Sequence, residues 1–442
     1  MSSTGLVWLA LYAVGCVAAM ANPVYGLVAY LFTYYTHPPL HWWGDGLPQV
    51  RWSYTIALIT AGSFLAHRAG KGSLPFFSHP QYRWLAALVV ISALVTPFAV
   101  DPTISSYYTT TLTKALVLSF LYAKIATDFR SYRLLVLTHV LGGFYWGLEA
   151  YLNPETEGGR LINIGGPDSD TTNNTAAHIL TILPFVGYYI LAVRGRERWL
   201  CLVAAPFILR ALVMLNSRGS MLALVPAGLV ALLLGRRRYL GRSLLALGLA
   251  VAAIFVIGGE TFQRRQLTLF TYEEDYSATS RLEMWQAAIR MVQDHPLGVG
   301  GQGYDLLSPR YLPDMVEKRN VEQTVHNTYL MAAAEWGIAG LVCLLGFLVS
   351  IFVQLHRIRR TPAVTELQRR LHLESIAIEV ALVGLLVAGF FVNRLYSEAL
   401  YLMAGLTAAL TNVAMREAKQ AAEAPGVAAA PDPPARAAAG SR

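Results

Sequence analysis

Long apolar segments separated by short polar connections run through most of the chain. Clear examples are Trp84–Val100, Thr111–Ile125, Met221–Leu234 and Leu244–Ile257. With their weakly polar flanks, these segments reach the roughly 20 residues that an α-helix needs to cross a bilayer. The pattern predicts about eleven spans from Ser53 to Ala414, and residues 5–36 add either one kinked span or two short ones broken at Asn22-Pro23. We favour one, which predicts an all-α polytopic membrane protein with about twelve transmembrane helices.

Composition and the placement of charge support this class and argue against a nucleic-acid partner. Of the 442 residues, 55% are hydrophobic and 14% are charged, against about 25% charged in soluble domains. The net charge is +8, and basic clusters lie in short connections at 67–71, 124–133, 194–198, 236–238 and 356–360. Such clusters mark the cytoplasmic side of a membrane protein, and twelve spans then place both chain ends there. The cysteines, at 16, 201 and 343, lie in apolar segments and indicate neither a disulfide nor a metal site.

One long polar stretch, residues 258–325, interrupts the apolar pattern on the outward side. It divides the chain into an N-terminal transmembrane bundle (1–257), this outward loop, C-terminal transmembrane helices (326–414) and a tail (415–442). The tail is rich in Ala and Pro, which predicts disorder on the cytoplasmic side. The loop is long enough for a few short helices that lie over the membrane domain.

A helix inside this loop is indicated by its start and stop signals. Ser280 and Glu283 have the spacing of a capping box, and Pro296 should end the helix just after Asp294. Four apolar residues share one face of it and should pack against the membrane domain as a lid: Leu282, Trp285, Ile289 and Val292.

The glycine-rich run that follows this helix, at 298–303, matches G-x-G-x-x-G. A dinucleotide site needs a preceding strand and a βαβ unit, and here an amphipathic helix precedes the run. Two interpretations stay open: a plain glycine turn, or a backbone cradle for phosphate oxygens around Gly300.

Three polar residues on the outward side carry the proposed chemistry. His326 opens a membrane helix, where the positive end of the helix dipole favours a neutral imidazole that can accept a proton. Arg218 stands at the start of another span, so its guanidinium and the free N–H groups of that helix suit an anion such as a diphosphate. Arg281 in the lid is the second residue predicted to bind this anion. The alternative for the histidine and for Arg218 is a side chain that only snorkels to the interface.

Further polar residues are weaker candidates. Arg160 and the pair Arg264-Arg265 could add positive charge, and Asn173, Asn174 and His178 could contact a sugar. Asp168 and Asp170 resemble a D-x-D metal signature, although no partner carboxylates cluster near them in sequence. Glu335, Glu379 and Glu398 fall within spans, where such groups face the bundle interior and are paired, or else form an ion path.

A site on the outward face has no access to ATP or nucleotide sugars. A transferase working there needs a donor that arrives already activated in the membrane, and a sugar linked to a polyprenyl diphosphate fits this demand. Two arginines can stabilise the diphosphate as it leaves, and a histidine can take the proton of the acceptor hydroxyl.

A set of short motifs supports the same conclusion. They are Asn216-Ser217-Arg218-Gly219, Ser280-Arg281 with Trp285, Pro296-Leu297-Gly298-Val299-Gly300 with Tyr304, His326-Asn327-Thr328-Tyr329-Leu330, and Glu335-Trp336-Gly337. Together they resemble the O-antigen ligase and O-antigen polymerase superfamily, which includes the exosortase-associated O-glycosylation ligases. The motifs cover about 216–345, and the number of spans with one large periplasmic loop extends the resemblance to most of the chain.

The resemblance implies a GT-C-like membrane glycosyltransferase of the bacterial inner membrane, with its active site facing the periplasm. It implies metal-independent transfer of a glycan from undecaprenyl diphosphate without a cofactor, with His326, Arg218 and Arg281 as the catalytic trio. Some relatives carry two adjacent histidines, and Asn327 stands in the second place here. The residues assigned to substrate binding are Arg160, Asn173, Asn174, Arg265, Gly300, Tyr304 and Asn327.

The modest outward loop favours a ligase that accepts lipid A–core oligosaccharide. An O-antigen polymerase and an O-linked protein oligosaccharyltransferase stay open within the superfamily. A membrane transporter or flippase is the alternative outside it, although transporters usually contain inverted repeats and this sequence shows none.

Overall fold

Helices form nearly all the regular structure of the protein. The computed structural model describes residues 2–67, 73–169, 171–235, 239–267, 276–319 and 323–423. In chain order the helices are α1 (Ser3–Ala21), α2 (Pro23–Tyr35), α3 (Trp52–Ala66), α4 (Pro80–Val95), α5 (Pro102–Ile125), α6 (Phe129–Leu152), α7 (Thr172–Ile179), α8 (Leu183–Ala192), α9 (Arg196–Leu215), α10 (Arg218–Leu234), α11 (Leu240–Leu267), α12 (Tyr276–Asp294), α13 (Gly303–Tyr311), α14 (Pro313–Arg319), α15 (Thr328–Arg360), α16 (Glu366–Ala388) and α17 (Glu398–Glu423). A two-stranded antiparallel hairpin joins β1 (Thr156–Glu157) to β2 (Arg160–Leu161).

The all-α polytopic class is confirmed. Within the described residues, eight helical segments are long and apolar enough to cross a membrane, and α3 and α10 are shorter apolar helices. Apolar side chains cover much of the outer surface, as expected where lipid rather than water is the neighbour. These eight segments do not establish the predicted number of about twelve.

The first 35 residues form two antiparallel helices, and the favoured single span is wrong. Asn22 ends α1 in an extended conformation, and its side chain caps α2. The chain then turns back, so that the Trp8 indole near the start of α1 donates to Thr36 Oγ1 just after α2, at 2.7 Å. The N-terminus therefore lies at the same end of the bundle as residues 37–52, opposite the end where α17 finishes.

The described basic connections gather at one end of the bundle, as their predicted common side requires. Three contacts join them: Lys124 Nζ donates to Leu74 O (2.6 Å), Arg133 pairs with Glu197 (3.0 Å), and Arg416 donates to Thr127 O (2.9 Å). Residues 68–72 and 236–238, which belong to two of the predicted clusters, lie outside the described residues. The described residues of the polar stretch 258–325 lie at the opposite end, where Val299 O accepts from the Val100 N–H at 3.0 Å.

Helix α15 is broken at Gly337, and the glycine-rich run completes the break. Gly337 has φ +71°, which interrupts the helical hydrogen bonds. The N–H groups of Val299 and Gly300 donate to Ala334 O and Glu335 O, each at 2.9 Å, and Ile338 N donates to Pro296 O at 3.1 Å. A Cβ on Gly337 would lie 2.6 Å from the backbone of residue 297. The run is thus a turn packed on α15, and the phosphate cradle around Gly300 stays a prediction.

The lid helix α12 ends at Asp294 as predicted, but its start and its buried face differ from the prediction. It begins at Tyr276, so Ser280 lies within the helix rather than at its N-cap. Leu282 and Ile289 are 47% and 48% exposed. The most buried positions lie one residue away, at Met284, Ala287, Ala288 and Met291. Trp285 and Val292 of the predicted face are partly buried and pack against the same cluster, so the predicted face is confirmed in part.

Two predicted boundaries also shift. Helix α11 continues past residue 257 to Leu267, with a kink at Gly259 (φ +61°), so the polar stretch begins inside a helix. Helix α17 continues to Glu423, past the predicted boundary at 414. The rest of the tail, 424–442, lies outside the described residues.

The acidic residues within spans are paired, as expected. Glu335 accepts from the Gln302 N–H at 2.7 Å and from the Tyr396 hydroxyl. Glu379 forms an ion pair with Arg359. Glu398 accepts from the Tyr30 hydroxyl at 2.9 Å. The contacts of Glu335 and Glu398 join segments that are far apart in sequence, whereas the Arg359 pair joins the successive helices α15 and α16. The alternative of an ion path stays a prediction.

Candidate active site

The site is built around the tight turn between α9 and α10. Asn216 closes α9 in the left-handed conformation (φ +49°), which Asn tolerates better than most residues. Ser217 is extended and makes no side-chain cap, and α10 begins at Arg218. The N–H groups in the first turn of a helix have no acceptor within that helix. The positive end of α10 therefore opens into the space in front of it.

Four arginines from four separate segments surround this space. Arg160 comes from β2, Arg218 from α10, Arg265 from the end of α11 and Arg281 from α12. They line a cleft of about 420 Å³ together with Asn173, Ser217, Gly219, Ser220, Ala388, Phe391 and Val392. Among the described residues, none that lines the cleft is acidic. The cleft thus combines four formal positive charges with a helix N-terminus.

Backbone carbonyls at the end of α9 hold two of these arginines in place. Arg160 Nε donates to Leu215 O at 3.2 Å, and its Nη2 donates to Asn173 Oδ1 at 2.7 Å. Arg265 Nε donates to Asn216 O at 3.1 Å. The C-terminal carbonyls of a helix carry partial negative charge and attract cations. The same turn therefore fixes two guanidinium groups through α9 and starts the helix that faces them.

Burial and like charges act together on these side chains. Burial, with the nearby Arg265, Arg281 and Arg218, lowers the pKa of Arg160 to about 10. Burial, followed by the charge of Arg265, lowers the pKa of Arg281, and burial lowers the pKa of Arg265. Burial and the repulsion between like charges both disfavour the charged forms of these side chains, and a bound anion would offset both effects. The cleft is suited to an anion that carries more than one charge.

His326 lies next to this cleft but is not among its lining residues. It adopts a left-handed backbone (φ +49°), and Asn327 then caps α15, because its Oδ1 accepts from the N–H groups of residues 329 and 330 at 3.0 Å. Thr328 fixes this corner to the turn after α16. Its N–H donates to Gly389 O at 2.8 Å, and its hydroxyl donates to Val392 O at 2.9 Å. Val392 lines the cleft, so His326 lies two residues before Thr328, which is hydrogen-bonded to the cleft wall.

A comparison of the sequence with family models identifies the central part of the chain. Residues 203–345 match the O-antigen ligase family. The resemblance found in the motifs is thereby confirmed for this region, which contains Arg218, Arg265, Arg281 and His326.

A curated relative covers a similar share of the chain. The chain is 28% identical over 184 residues to the exopolysaccharide production protein ExoQ of Rhizobium meliloti (strain 1021). The alignment covers 38% of this chain and 41% of that protein. The chain thus matches about two fifths of the length of this relative.

Within and beside the O-antigen ligase region, some predicted site residues are placed away from the cleft. Gly300 packs against Ala99 and Ser105 between α4 and α5. Tyr304 is fully buried, and its hydroxyl donates to Met284 O at 2.8 Å, which ties α13 to α12. Asn327 uses its side-chain oxygen as a helix cap. These three residues are absent from the lining of the cleft, and their roles in substrate binding stay predictions. Asn174 is half-buried on α7 and is also outside the cleft lining.

Two further candidates outside the O-antigen ligase region have structural contacts. Asp168 accepts from the Tyr34 hydroxyl and the Glu398 N–H, and it lies 3.9 Å from the buried Arg394 guanidinium. Asp170 lies outside the described residues. His178 is buried between the hydroxyls of Tyr34 and Tyr35, far from a sugar at the surface. In the described part of the chain, no group of three or more His, Cys, Asp or Glu is placed to hold a metal ion.

Sequence reasoning missed the residues that shape the cleft wall. Gly219 leaves no room for a side chain, because a Cβ there would lie 2.8 Å from Phe391. Phe391 and Val392 come from a segment with no chemical signature of its own, whereas Gly219 and Thr328 lie in the quoted motifs but were given no role. The residue types of Asn216 and His326 are compatible with the left-handed backbone that both adopt, because Asn and His are enriched in that conformation.

Proposed function

We propose that this protein transfers a glycan from undecaprenyl diphosphate to a hydroxyl acceptor at the outer face of the bacterial inner membrane, with lipid A–core oligosaccharide as the acceptor. The observation that carries the proposal is the cleft itself, where four arginines and the N-terminus of α10 face one space. A diphosphate is the anion whose charge and size fit such a site. The O-antigen ligase match over 203–345 supports glycosyl transfer and argues against the transporter alternative.

The reaction needs one bond to form and one to break. The acceptor oxygen attacks the anomeric carbon of the donor sugar, and the bond from that carbon to the diphosphate oxygen breaks. The diphosphate leaves with the bonding electron pair, and Arg218 and Arg281 stabilise the charge that develops on it. His326 takes the proton of the acceptor hydroxyl. No cofactor takes part in this scheme.

The two catalytic arginines belong to different parts of the molecule. Arg218 starts a membrane-domain helix, whereas Arg281 lies on α12, which packs on α15 and α13. Arg160 and Arg265 are held by the carbonyls that end α9. A bound diphosphate would therefore bridge the lid and the membrane domain, and a donor in the cleft would order both around the reacting carbon.

A second candidate is a polymerase, which accepts a lipid-linked glycan in place of lipid A–core. The observation that favours it is the similarity to a protein named for exopolysaccharide production. The donor cleft serves either reaction, because both release the same diphosphate. The two proposals differ only in the acceptor.

Purified protein in proteoliposomes tests both. With a lipid-linked donor and lipid A–core as acceptor, a ligase produces capped lipid A–core, whereas a polymerase given donor alone lengthens the lipid-linked glycan. Release of undecaprenyl diphosphate measures turnover in each case. Failure to consume the donor with either acceptor would contradict the proposed function. Extension of donor alone, with lipid A–core left unmodified, would overturn the ligase in favour of the polymerase.

A further inference from the structure

A second cavity lies at the opposite end of the bundle from the arginine cleft. It is a groove of about 990 Å³ between the last turns of α15 and helix α16. Its lining residues are Val349, Phe352, Val353, His356, Arg357, Arg359, Arg360 and Glu379. We call it the α15 groove. None of these residues takes part in the proposed transfer.

The chemistry of the α15 groove changes from apolar to basic along a single helix. Val349 and Val353, which are 60% and 39% exposed, form its apolar part with Phe352. One turn further on, His356, Arg357 and Arg360 are exposed on the same side. Residues three, four and seven apart share a helix face. The groove thus presents an apolar surface that leads directly to a cluster of positive charge.

The arginines of the groove differ in their partners. Arg359 forms an ion pair with Glu379 of α16, which joins the two helices below the groove. Among the described residues, neither Arg357 nor Arg360 forms an ion pair with an acidic side chain. Arg133 at the same end is paired with Glu197. The positive charge of Arg357 and Arg360 is therefore available to an anion from outside the protein.

The length of α15 places this basic cluster at the membrane surface. From the kink at Gly337 to His356 the helix rises about 29 Å, at roughly 1.5 Å per residue. The hydrocarbon core of a bilayer is about 30 Å thick. The basic turn is thus separated from the Gly337 kink by about one hydrocarbon thickness, so a bilayer spanning this part of α15 would bring lipid chains against the apolar part of the groove.

We propose that the α15 groove binds one anionic phospholipid in the leaflet opposite the arginine cleft. One acyl chain lies along Val349, Phe352 and Val353, and the phosphate lies between Arg357 and Arg360, next to His356. The charge of the groove selects an anionic headgroup, because basic pockets at the membrane surface attract such lipids. The apolar part selects a lipid rather than a free phosphate. This site is independent of the transfer reaction.

Native mass spectrometry of the full chain, delipidated in detergent and titrated with phosphatidylglycerol, tests the proposal. Two double variants remove the same charge: Arg357→Gln/Arg360→Gln in the groove, and Arg194→Gln/Arg198→Gln in another exposed basic connection at the same end. We expect the groove variant to lose roughly 30-fold in affinity for the first bound phosphatidylglycerol, from the attraction that each basic side chain adds near an anionic surface. The control variant should keep wild-type affinity.

Three further measurements decide between occupants. Phosphatidylcholine with the same chains should bind the wild-type protein more weakly, and glycerol phosphate should not displace phosphatidylglycerol. Phe352→Ala should lower affinity without changing the preference for the anionic headgroup. Thermal unfolding of each variant checks that it is folded. Equal losses in both double variants, equal binding of phosphatidylcholine, or displacement by glycerol phosphate would each overturn the proposal.

Discussion

Replacing Arg281 by glutamine removes one of the four cations of the cleft and leaves a shorter, neutral polar side chain. If Arg281 contacts the departing diphosphate, the variant loses charge-assisted hydrogen bonds worth about 1.5–3 kcal/mol in total. At about 1.4 kcal/mol per factor of ten, kcat/KM should fall roughly 10- to 100-fold. Arg281→Lys should recover only part of this loss, because an ammonium cannot make the planar two-pronged contact.

The stability of the ligand-free protein should change in the opposite direction. Burial and Arg265 lower the pKa of Arg281 in the fold, so its charged form is less favourable in the folded protein than in the unfolded chain. At neutral pH the arginine is charged in both states, and this cost is present throughout. A neutral glutamine removes it, so the variant should unfold at a temperature equal to or above that of the wild-type protein. A loss of activity combined with unchanged or higher stability separates a ligand-binding role from a structural one.

Arg290 provides a matched control on the same helix. It is exposed, and its Nη2 donates to Tyr311 O at 3.2 Å outside the cleft. Arg290→Gln should keep wild-type kcat/KM in the proteoliposome assay. A cycle of Arg281→Gln with Arg218→Gln should give less than additive losses, since both side chains hold one ligand. Wild-type kcat/KM in Arg281→Gln, an equal loss in Arg290→Gln, or fully additive losses in the cycle would refute the shared-diphosphate site.

Four further predictions concern His326, divalent metal ions, Thr328 and Gly337. His326→Ala should lower turnover by about 10²–10⁴ with unchanged thermal unfolding, and near wild-type turnover would remove the histidine from the mechanism. EDTA should leave the transfer rate unchanged, and activity lost in EDTA and restored by Mg²⁺ would contradict the metal-independent scheme. Thr328→Val leaves a buried carbonyl and a buried N–H in residues 389–394 unpaired, so we expect about 1–3 kcal/mol lower stability and a lower kcat, both restored by Thr328→Ser. Gly337→Ala, at φ +71°, should lose at least about 1–2 kcal/mol, whereas Gly62→Ala, with open space around it, should be neutral or stabilising.

The membrane class and the position of the chemistry could be predicted from the sequence because both depend on local composition. An apolar segment that is long enough must be helical in lipid, since no other structure satisfies its backbone there. The lysines and arginines of each short loop favour the cytoplasmic side independently of the other loops, so the side of a loop depends on its local sequence. The same logic marked Arg218 and Arg281 as anion-binding candidates, and the structure brings both into one cleft with the weaker candidates Arg160, Asn173 and Arg265.

The errors have a common physical cause. The buried face of α12 could not be read from the sequence, because two stripes of apolar residues have the same helical period and only the neighbouring helices decide which one is covered. Gly300 and Tyr304 were predicted to bind substrate from the family resemblance, and this stays a prediction. In the fold they close the break in α15 and tie down the lid.

The sequence by itself determined the secondary-structure class, the sidedness of the loops and the residue types able to bind a diphosphate. Only the tertiary structure decided that α1 and α2 fold back on each other, and that residues 160, 218, 265 and 281 meet in front of the α9–α10 turn. Chain segments more than a hundred residues apart converge there. Convergence of this kind depends on helix packing and on hydrogen bonds to particular carbonyls, which have no signature in local sequence. Like charges repel each other, so nothing about the individual arginines in the sequence predicts that they cluster. Only the folded structure shows that they do.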